Sequence, residues 1–166
     1  MREILFRGKE SRENGGFVEG AYYHQTEFYG HKEFNKRIKV DEHYIITSTD
    51  ELEDNMMTFS AVFPETVGQY TGLTDKNGKK IFEGDILKGY VYPFFNEEKD
   101  EFNYFAEVVW FENSSAFGCV THKNPLSKVN GISSGNTDYL EDFYSNCWEI
   151  IGNIHDNPEL LRSDTE

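Results

Sequence analysis

The chain has 166 residues, of which 30 are acidic and 16 are basic, so its formal net charge is −14 at pH 7. A field of that sign opposes non-specific binding to nucleic-acid phosphates and to anionic lipid. Aromatic residues make up 16% of the chain, which is enough apolar surface to form a folded core despite the high charge.

Short runs of Tyr, Phe, Val, Ile and Thr follow one another along the chain, and long runs with helical spacing are absent. The strands predicted in the first part are Ile4–Arg7, Phe17–His24, Tyr44–Thr47 and Met56–Val62. In the last of these, Met57, Phe59 and Ala61 alternate with Thr58 and Ser60, which is the period of a strand. Pro64 should end it, because proline cannot donate to a ladder.

The second part has turn residues between further short apolar runs. Its predicted strands are Tyr70–Leu73, Lys80–Phe82, Ile86–Tyr92, Phe102–Phe111, Phe117–Thr121 and Trp148–Ile151. Asp75–Gly78 predicts a hairpin turn of type I′, since its Asn-Gly pair tolerates positive φ. Asn157 followed by Pro158 predicts the start of a short helix.

These elements predict a mainly β fold of short antiparallel strands with little helix and a small, bent, barrel-like C-terminal part. We expect an N-terminal β-rich lobe over 1–63, a central turn motif and small barrel over 64–161, and a frayed tail over 162–166. The residues expected to be largely buried are Phe82, Ile86, Val109, Trp148 and Ile150.

Cysteine and histidine suggest one candidate metal site. Cys119, His122, Cys147 and His155 carry the ligand atoms of a zinc site. However, the two cysteines lack the Cys-x-x-Cys spacing, and the odd offset of Cys119 and His122 would place them on opposite faces of a strand. We therefore expect two reduced core thiols, and neither a metal nor a cofactor.

Carboxylates suggest a candidate catalytic pair. Glu83 and Asp85 flank Gly84, and Glu65 lies near the other end of the same block. A paired-carboxylate hydrolase needs two acids facing one substrate, but Glu-Gly-Asp is also an ordinary turn. No phosphate-binding loop and no nucleophilic serine elbow is present in the sequence. We therefore predict no catalytic residue.

Residues 22–39 are the most basic stretch of this acidic chain. Tyr22, Tyr23, Phe28 and Tyr29 lie near His24, Lys32, Lys36, Arg37 and Lys39. Interleaved rings and cations can stack bases and hold phosphates, although half-buried strand aromatics explain the rings equally well. The stretch provides an alternative hypothesis, that of a nucleic-acid-associated module.

Three blocks of the chain resemble one protein family. They are Phe6–Lys9 with Phe17–Gly20, then Pro64–Leu73 with Asp75–Ile86, then Trp148–Ile154 with Asn157–Leu160. In this order they resemble the YopX family of phage and prophage proteins. The resemblance implies a small, mainly β protein that is soluble in the cytoplasm of a bacterial host cell, and it implies no catalytic residue.

We hypothesise a non-enzymatic accessory protein that binds a macromolecule. Its acidity favours a basic protein partner, disfavours nucleic acid and gives no reason to expect a membrane; it leaves the oligomeric state open. The predicted partner contacts lie in two acidic loops and are Asp50, Glu51, Glu53, Asp54, Glu97, Glu98, Asp100 and Glu101.

Overall fold

A computed structural model gives the structure of residues 3–31, 36–48, 57–90, 103–123, 137–139 and 148–162. The described chain is mainly β, with two antiparallel sheets and two short 3-10 helices, which confirms the predicted class. None of its helices is long and apolar enough to cross a membrane. The chain divides into two units, Met1–Gln69 and Tyr70–Glu166.

The described residues of the first unit form four strands and the beginning of a fifth. These are β1 (Phe6–Lys9), β2 (Phe17–His31), β3 (Lys36–Ser48), β4 (Met57–Ala61) and β5 (Gly68–Thr74), with a 3-10 helix over Pro64–Thr66. Within the unit, β4 pairs with β3, β3 with β2, β2 with β1, and β1 with the start of β5. The hairpin of β2 and β3 is much longer than the two short strands predicted there.

The first unit has a small buried apolar part. Ile45 and Val62 are buried there, and the segment after β1 bridges back to the end of β4 through Glu10 and Val62. Gly20 lies where two strands approach closely. A Cβ at this position would be 2.1 Å from the carbonyl oxygen of Ile46, so the site requires glycine.

The second unit begins within β5, and its described residues form six more strands. These are β6 (Lys80–Phe82), β7 (Asp85–Tyr90), β8 (Asn103–Phe111), β9 (Ala116–Lys123), β10 (Thr137–Tyr139) and β11 (Glu149–Asn153), followed by a 3-10 helix over Pro158–Leu161. Their five-stranded sheet has the order β10-β9-β8-β7-β11. The predicted barrel-like part does not close into a barrel: among the described strands, β10 and β11 lie at opposite edges, and a closed barrel requires its first and last strands to pair.

The core of the second unit lies on one face of this sheet. It consists of Ile81, Leu87, Ala106, Val108, Cys119 and Trp148. Of the predicted core residues, Phe82, Ile86 and Trp148 are buried, whereas Val109 and Ile150 are half-buried. Val109 is more exposed because it lies on the opposite face of β8 from the fully buried Val108.

The predicted hairpin turn forms, but its type is different. The N–H of Gly78 donates to the carbonyl of Asp75, and the N–H of Asp75 donates to the carbonyl of Lys79. Gly78 has a φ of 79°, while Lys76 and Asn77 do not have positive φ. This is the pattern of a three-residue loop with a G1 bulge, whereas a type I′ turn needs two consecutive residues with positive φ.

The side chain of Asp75 fixes this loop in place. Its Oδ1 accepts hydrogen bonds from the N–H groups of Asn77 and Lys79, and its Oδ2 accepts one from the N–H of Ile150 in β11. Burial by itself would raise the pKa of Asp75, but the backbone N–H groups of Lys79, Ile150 and Asn77 hold the pKa below its ordinary value. The ionised carboxylate therefore belongs to the folded state.

We expect Asp75→Asn to lower the free energy of unfolding by about 3 kcal/mol, because an amide cannot accept all three hydrogen bonds and each buried N–H left unpaired costs about 1–3 kcal/mol. The stability that ionisation adds is present above the ordinary aspartate pKa of about 3.9 and is lost as the pH falls through the lower folded value. Denaturation at several pH values should show the wild type converging on the variant in acid. Equal stability at neutral pH would contradict this role, and Glu112→Gln, at an exposed position, is the control.

The two tryptophans provide a second test. Trp148 is buried with its ring over Gly89, where an added Cβ would be 2.7 Å from Cζ3 of the indole. We expect Trp148→Ala to cost about 3–5 kcal/mol in urea unfolding, the usual loss for a buried large aromatic. Trp110 is 38% exposed, so Trp110→Ala should cost clearly less. Similar losses for both would be inconsistent with the described core.

Candidate functional site

The acidic residues predicted to contact a partner lie outside the described residues. They are Asp50, Glu51, Glu53, Asp54, Glu97, Glu98, Asp100 and Glu101. The sequence still fixes what they connect: residues 49–56 join β3 to β4, and residues 91–102 join β7 to β8. Their contact with a partner stays a prediction.

The basic and aromatic stretch predicted for nucleic acid forms the hairpin of β2 and β3. Antiparallel register pairs Tyr22 with Ile45, Tyr23 with Tyr44 and His24 with His43. Because side chains alternate along a strand, Tyr22 and His24 lie on one face of the sheet and Tyr23 lies on the other. The rings that are adjacent in sequence are therefore divided between two faces.

One face of the hairpin carries a line of stacked rings. Phe6 contacts Tyr22, whose hydroxyl oxygen is 2.6 Å from Nδ1 of His43. The imidazole of His43 stacks on that of His24, with ring centroids 4.4 Å apart and planes 12° apart. We call this the inner face, because it continues to the buried Ile45.

Asp41 stands at the distal end of the inner face and accepts hydrogen bonds there. Its carboxylate is 2.8 Å from Nζ of Lys39, 2.6 Å from the hydroxyl of Thr26 and 3.7 Å from Nε2 of His24. The hydrogen bonds from Lys39 and Thr26 lower the pKa of Asp41. The ammonium of Lys39 is thus already paired. Lys32 lies outside the described residues, and for Lys36 and Arg37 the structure describes only the strand and not the side chains.

The opposite face of β2, β3 and β4 carries an apolar surface. We define it as the outer patch, formed by Tyr23, Tyr44, Ile46, Met57 and Phe59. Met57 is 67% exposed, Phe59 is 55% exposed and Tyr23 is 42% exposed. The ring of Phe59 meets that of Tyr44 edge to face, with centroids 6.3 Å apart. Exposed apolar groups that adjoin one another in this way are typical of interaction sites.

Two carboxylates adjoin the outer patch on the same face. The amide nitrogen of Gln25 donates to Glu42 at 2.7 Å and to Glu27 at 3.4 Å, and its oxygen accepts from the Tyr23 hydroxyl at 3.0 Å. Partial burial raises the pKa of Tyr44, and the negative charge of Glu42 raises it further. The patch therefore combines apolar rings with negative charge.

The candidate zinc ligands do not converge in the described chain. Cys119 is buried in the second unit's core, and Nε2 of His122 on the other face of β9 is 2.9 Å from a carboxylate oxygen of Glu107. Cys147 lies outside the described residues. Among the residues that are described, no group of three or more His, Cys, Asp or Glu side chains is placed to hold a metal ion.

Asp85, one of the candidate catalytic carboxylates, is buried and holds the backbone of its own turn. Asp85 is 1% exposed, and its Oδ2 accepts the N–H of Phe82 at 2.8 Å. Gly84 has a φ of 80° and bonds through its backbone to Val108 and to Ile154. Glu65 lies exposed in the first 3-10 helix. The Glu-Gly-Asp segment is thus a turn that positions backbone, in agreement with its interpretation as an ordinary turn.

The sequence predicted part of the outer patch. The alternation of Met57 and Phe59 in a strand was predicted and is confirmed. The contributions of Tyr23 and Tyr44 were missed, because their strands were predicted to be short and their register was unknown. The alternation of Tyr44 with Ile46 was the available signal in the sequence.

The chain is similar to a known protein family and to a solved structure. Residues 5–162 match the family model described as YopX protein. Among solved structures, the crystal structure of protein EF1440 from Enterococcus faecalis is similar at 21% sequence identity, with a TM-score of 0.45; the match covers 98% of this chain and 100% of that one. No curated protein matches the chain.

The link between Glu42 and Tyr44 can be measured by titration. We expect Glu42→Gln to lower the pKa of Tyr44 toward its ordinary value of about 10, since a nearby negative charge opposes phenolate formation. The ultraviolet absorbance of phenolate, as the difference between each protein and its Tyr44→Phe counterpart, reports this pKa. Glu112→Gln should leave it unchanged. An unchanged pKa of Tyr44 in Glu42→Gln would contradict an electrostatic interaction between this carboxylate and the patch.

Proposed function

The chain belongs to the YopX family, and we propose that it is a non-enzymatic accessory protein that binds a basic protein partner through the outer patch. The observation that carries the proposal is the exposed surface of Met57, Phe59 and Tyr23 beside the carboxylates of Glu27 and Glu42. Aromatic residues and Met are enriched at the centre of protein interfaces. The partner should therefore present apolar side chains bordered by lysine or arginine.

Charge selects the class of partner. The net charge of −14 attracts basic surfaces and repels nucleic acid and other acidic proteins. Four further carboxylates, those of Asp50, Glu51, Glu53 and Asp54, belong to the segment that joins β3 to β4, the two strands that carry most of the patch. We place this activity in the cytoplasm of a bacterial cell that carries a phage or prophage.

Nucleic acid is the alternative partner. Stacking on bases would need several exposed rings and cations on one face. The rings of the hairpin are divided between two faces, Tyr22 and His43 contact each other, and Lys39 is paired with Asp41. These contacts favour a protein partner over this alternative.

Affinity capture tests the proposal. Tagged protein is exposed to lysate of cells containing the phage or prophage, at low and at high salt, and a captured partner is then purified and its dissociation constant measured. We expect Phe59→Ser to weaken binding at least tenfold, because a central interface aromatic is worth about 2 kcal/mol or more. Phe28→Ser is the matched control, since Phe28 is 64% exposed but lies on the inner face.

The contribution of charge to partner binding is measured through the association rate. Neutralising the acidic residues of 50–54 and 97–101 should slow association with the purified partner. Added salt should also slow it, because a Debye length of about 8 Å near 0.15 M becomes shorter. Equal binding by Phe59→Ser and Phe28→Ser would contradict the role of the patch. Retention of DNA or RNA through purification would instead support the alternative partner.

A further inference from the structure

The orientation of the backbone in β4 follows from one hydrogen bond. The N–H of Val62 donates to the carbonyl of His43 at 2.9 Å. From this pair the register continues with Ile45 opposite Ser60 and Thr47 opposite Thr58. In an antiparallel ladder, hydrogen-bonded pairs alternate with pairs that are not hydrogen-bonded. Ser60 and Thr58 therefore direct their N–H and C=O groups toward β3.

Ala61, Phe59 and Met57 alternate with these residues in β4, so they direct their N–H and C=O groups away from β3. Ala61 shows this directly, since its carbonyl accepts the N–H of Ser11 at 2.9 Å on the side away from β3. The segment of Lys9 to Ser11 lies along that side from Ala61 to Phe63, and the N–H of Phe63 donates to the carbonyl of Lys9. Beyond it, the outward groups of Phe59 and Met57 face an edge along which the described chain places no strand.

Among the described residues, this edge carries none of the usual features that prevent strand pairing. Natural edge strands are blunted by proline, charge, a bulge or a covering segment. The sequence of β4, Met-Thr-Phe-Ser-Ala, contains no proline and no charge, and its pairing with β3 is regular. The same two residues, Met57 and Phe59, also present the most exposed side chains of the outer patch.

We propose that β4 binds an extended segment of the basic partner as an added strand. The segment receives backbone hydrogen bonds from Phe59 and Met57 and lays alternate apolar side chains on the outer patch, the mode by which sheet edges recognise peptides. This inference rests on the proposed function and specifies how the partner binds.

Such an edge can bind a second copy of this chain or a segment of another protein, and charge decides between these two occupants. A second copy of the chain would bring together two molecules of net charge −14. A segment with lysine or arginine at alternate positions is instead attracted by that net negative charge. The occupant is therefore a basic, alternating segment of another protein.

The probe is an end-capped octapeptide of alternating valine and lysine. Two N-methylated forms accompany it, one methylated on the valine nitrogens and one on the lysine nitrogens. An added strand hydrogen-bonds through one edge, and that edge uses the N–H groups of alternate residues. We expect one methylated form to lose binding more than tenfold and the other to retain it. Equal binding by both forms would overturn strand addition.

Variants of the protein test the same geometry. Phe59→Pro removes an outward N–H without touching the ladder to β3, as proline does when it is tolerated on edge strands. Phe59→Ala removes the ring but keeps the N–H, so the proline variant should bind the peptide several-fold more weakly than the alanine variant. If Phe59→Pro does not fold by circular dichroism, Met57→Pro against Met57→Ala makes the same comparison. Equal affinities in the folded pair would overturn the proposal.

The remaining outcomes separate this inference from the proposed function. A valine–glutamate octapeptide that binds as tightly as the valine–lysine one overturns the basic occupant. A dimer seen in sedimentation and lost in Phe59→Pro identifies a second copy as the occupant and overturns the proposal. If no peptide binds while a captured basic partner still depends on Phe59, strand addition fails and the proposed function stands. If the captured partner does not depend on Phe59 either, both fail.

Discussion

The buried carboxylate of Asp75 is the contact on which the second unit most depends. One side chain accepts hydrogen bonds from Asn77 and Lys79 within its own loop and from Ile150, 75 residues away. The backbone of Lys76 adds a bond to the carbonyl of Trp148. An isolated hairpin is marginally stable in water, so this loop owes its fixed position to the contact with β11. The same contact joins the central sequence block to the C-terminal one.

The central block therefore has an architectural role that its composition suggests and its contacts explain. Asp85 accepts the N–H of Phe82, and Gly84 lies between the backbones of Val108 and Ile154. These carboxylates and glycines position strands around the core of Ile81, Leu87 and Trp148. The density of turn residues in the block reflects how many chain segments meet there.

The first unit distributes its aromatic residues differently. On the inner face, Tyr22, His43 and His24 contact one another and lead toward the buried Ile45. On the outer face, Met57 and Phe59 remain exposed on a strand at the edge of the sheet. The described part of the unit leaves both side chains largely exposed to water, and this is the physical basis for assigning binding to this face.

The sequence by itself determined the mainly β class, the position of most strands and the hairpin at Asp75–Gly78, because strand period and turn chemistry are local properties. It also determined that Met57 and Phe59 share a face. Tertiary structure alone decided that β2 and β3 form a long hairpin, that Tyr23 lies opposite Tyr44 and Tyr44 meets Phe59, and that the described strands of the second sheet do not close into a barrel. These features depend on register and on pairing between distant strands, which local residue preferences do not encode. The direction of the backbone groups of Phe59 likewise follows only from the bond between Val62 and His43.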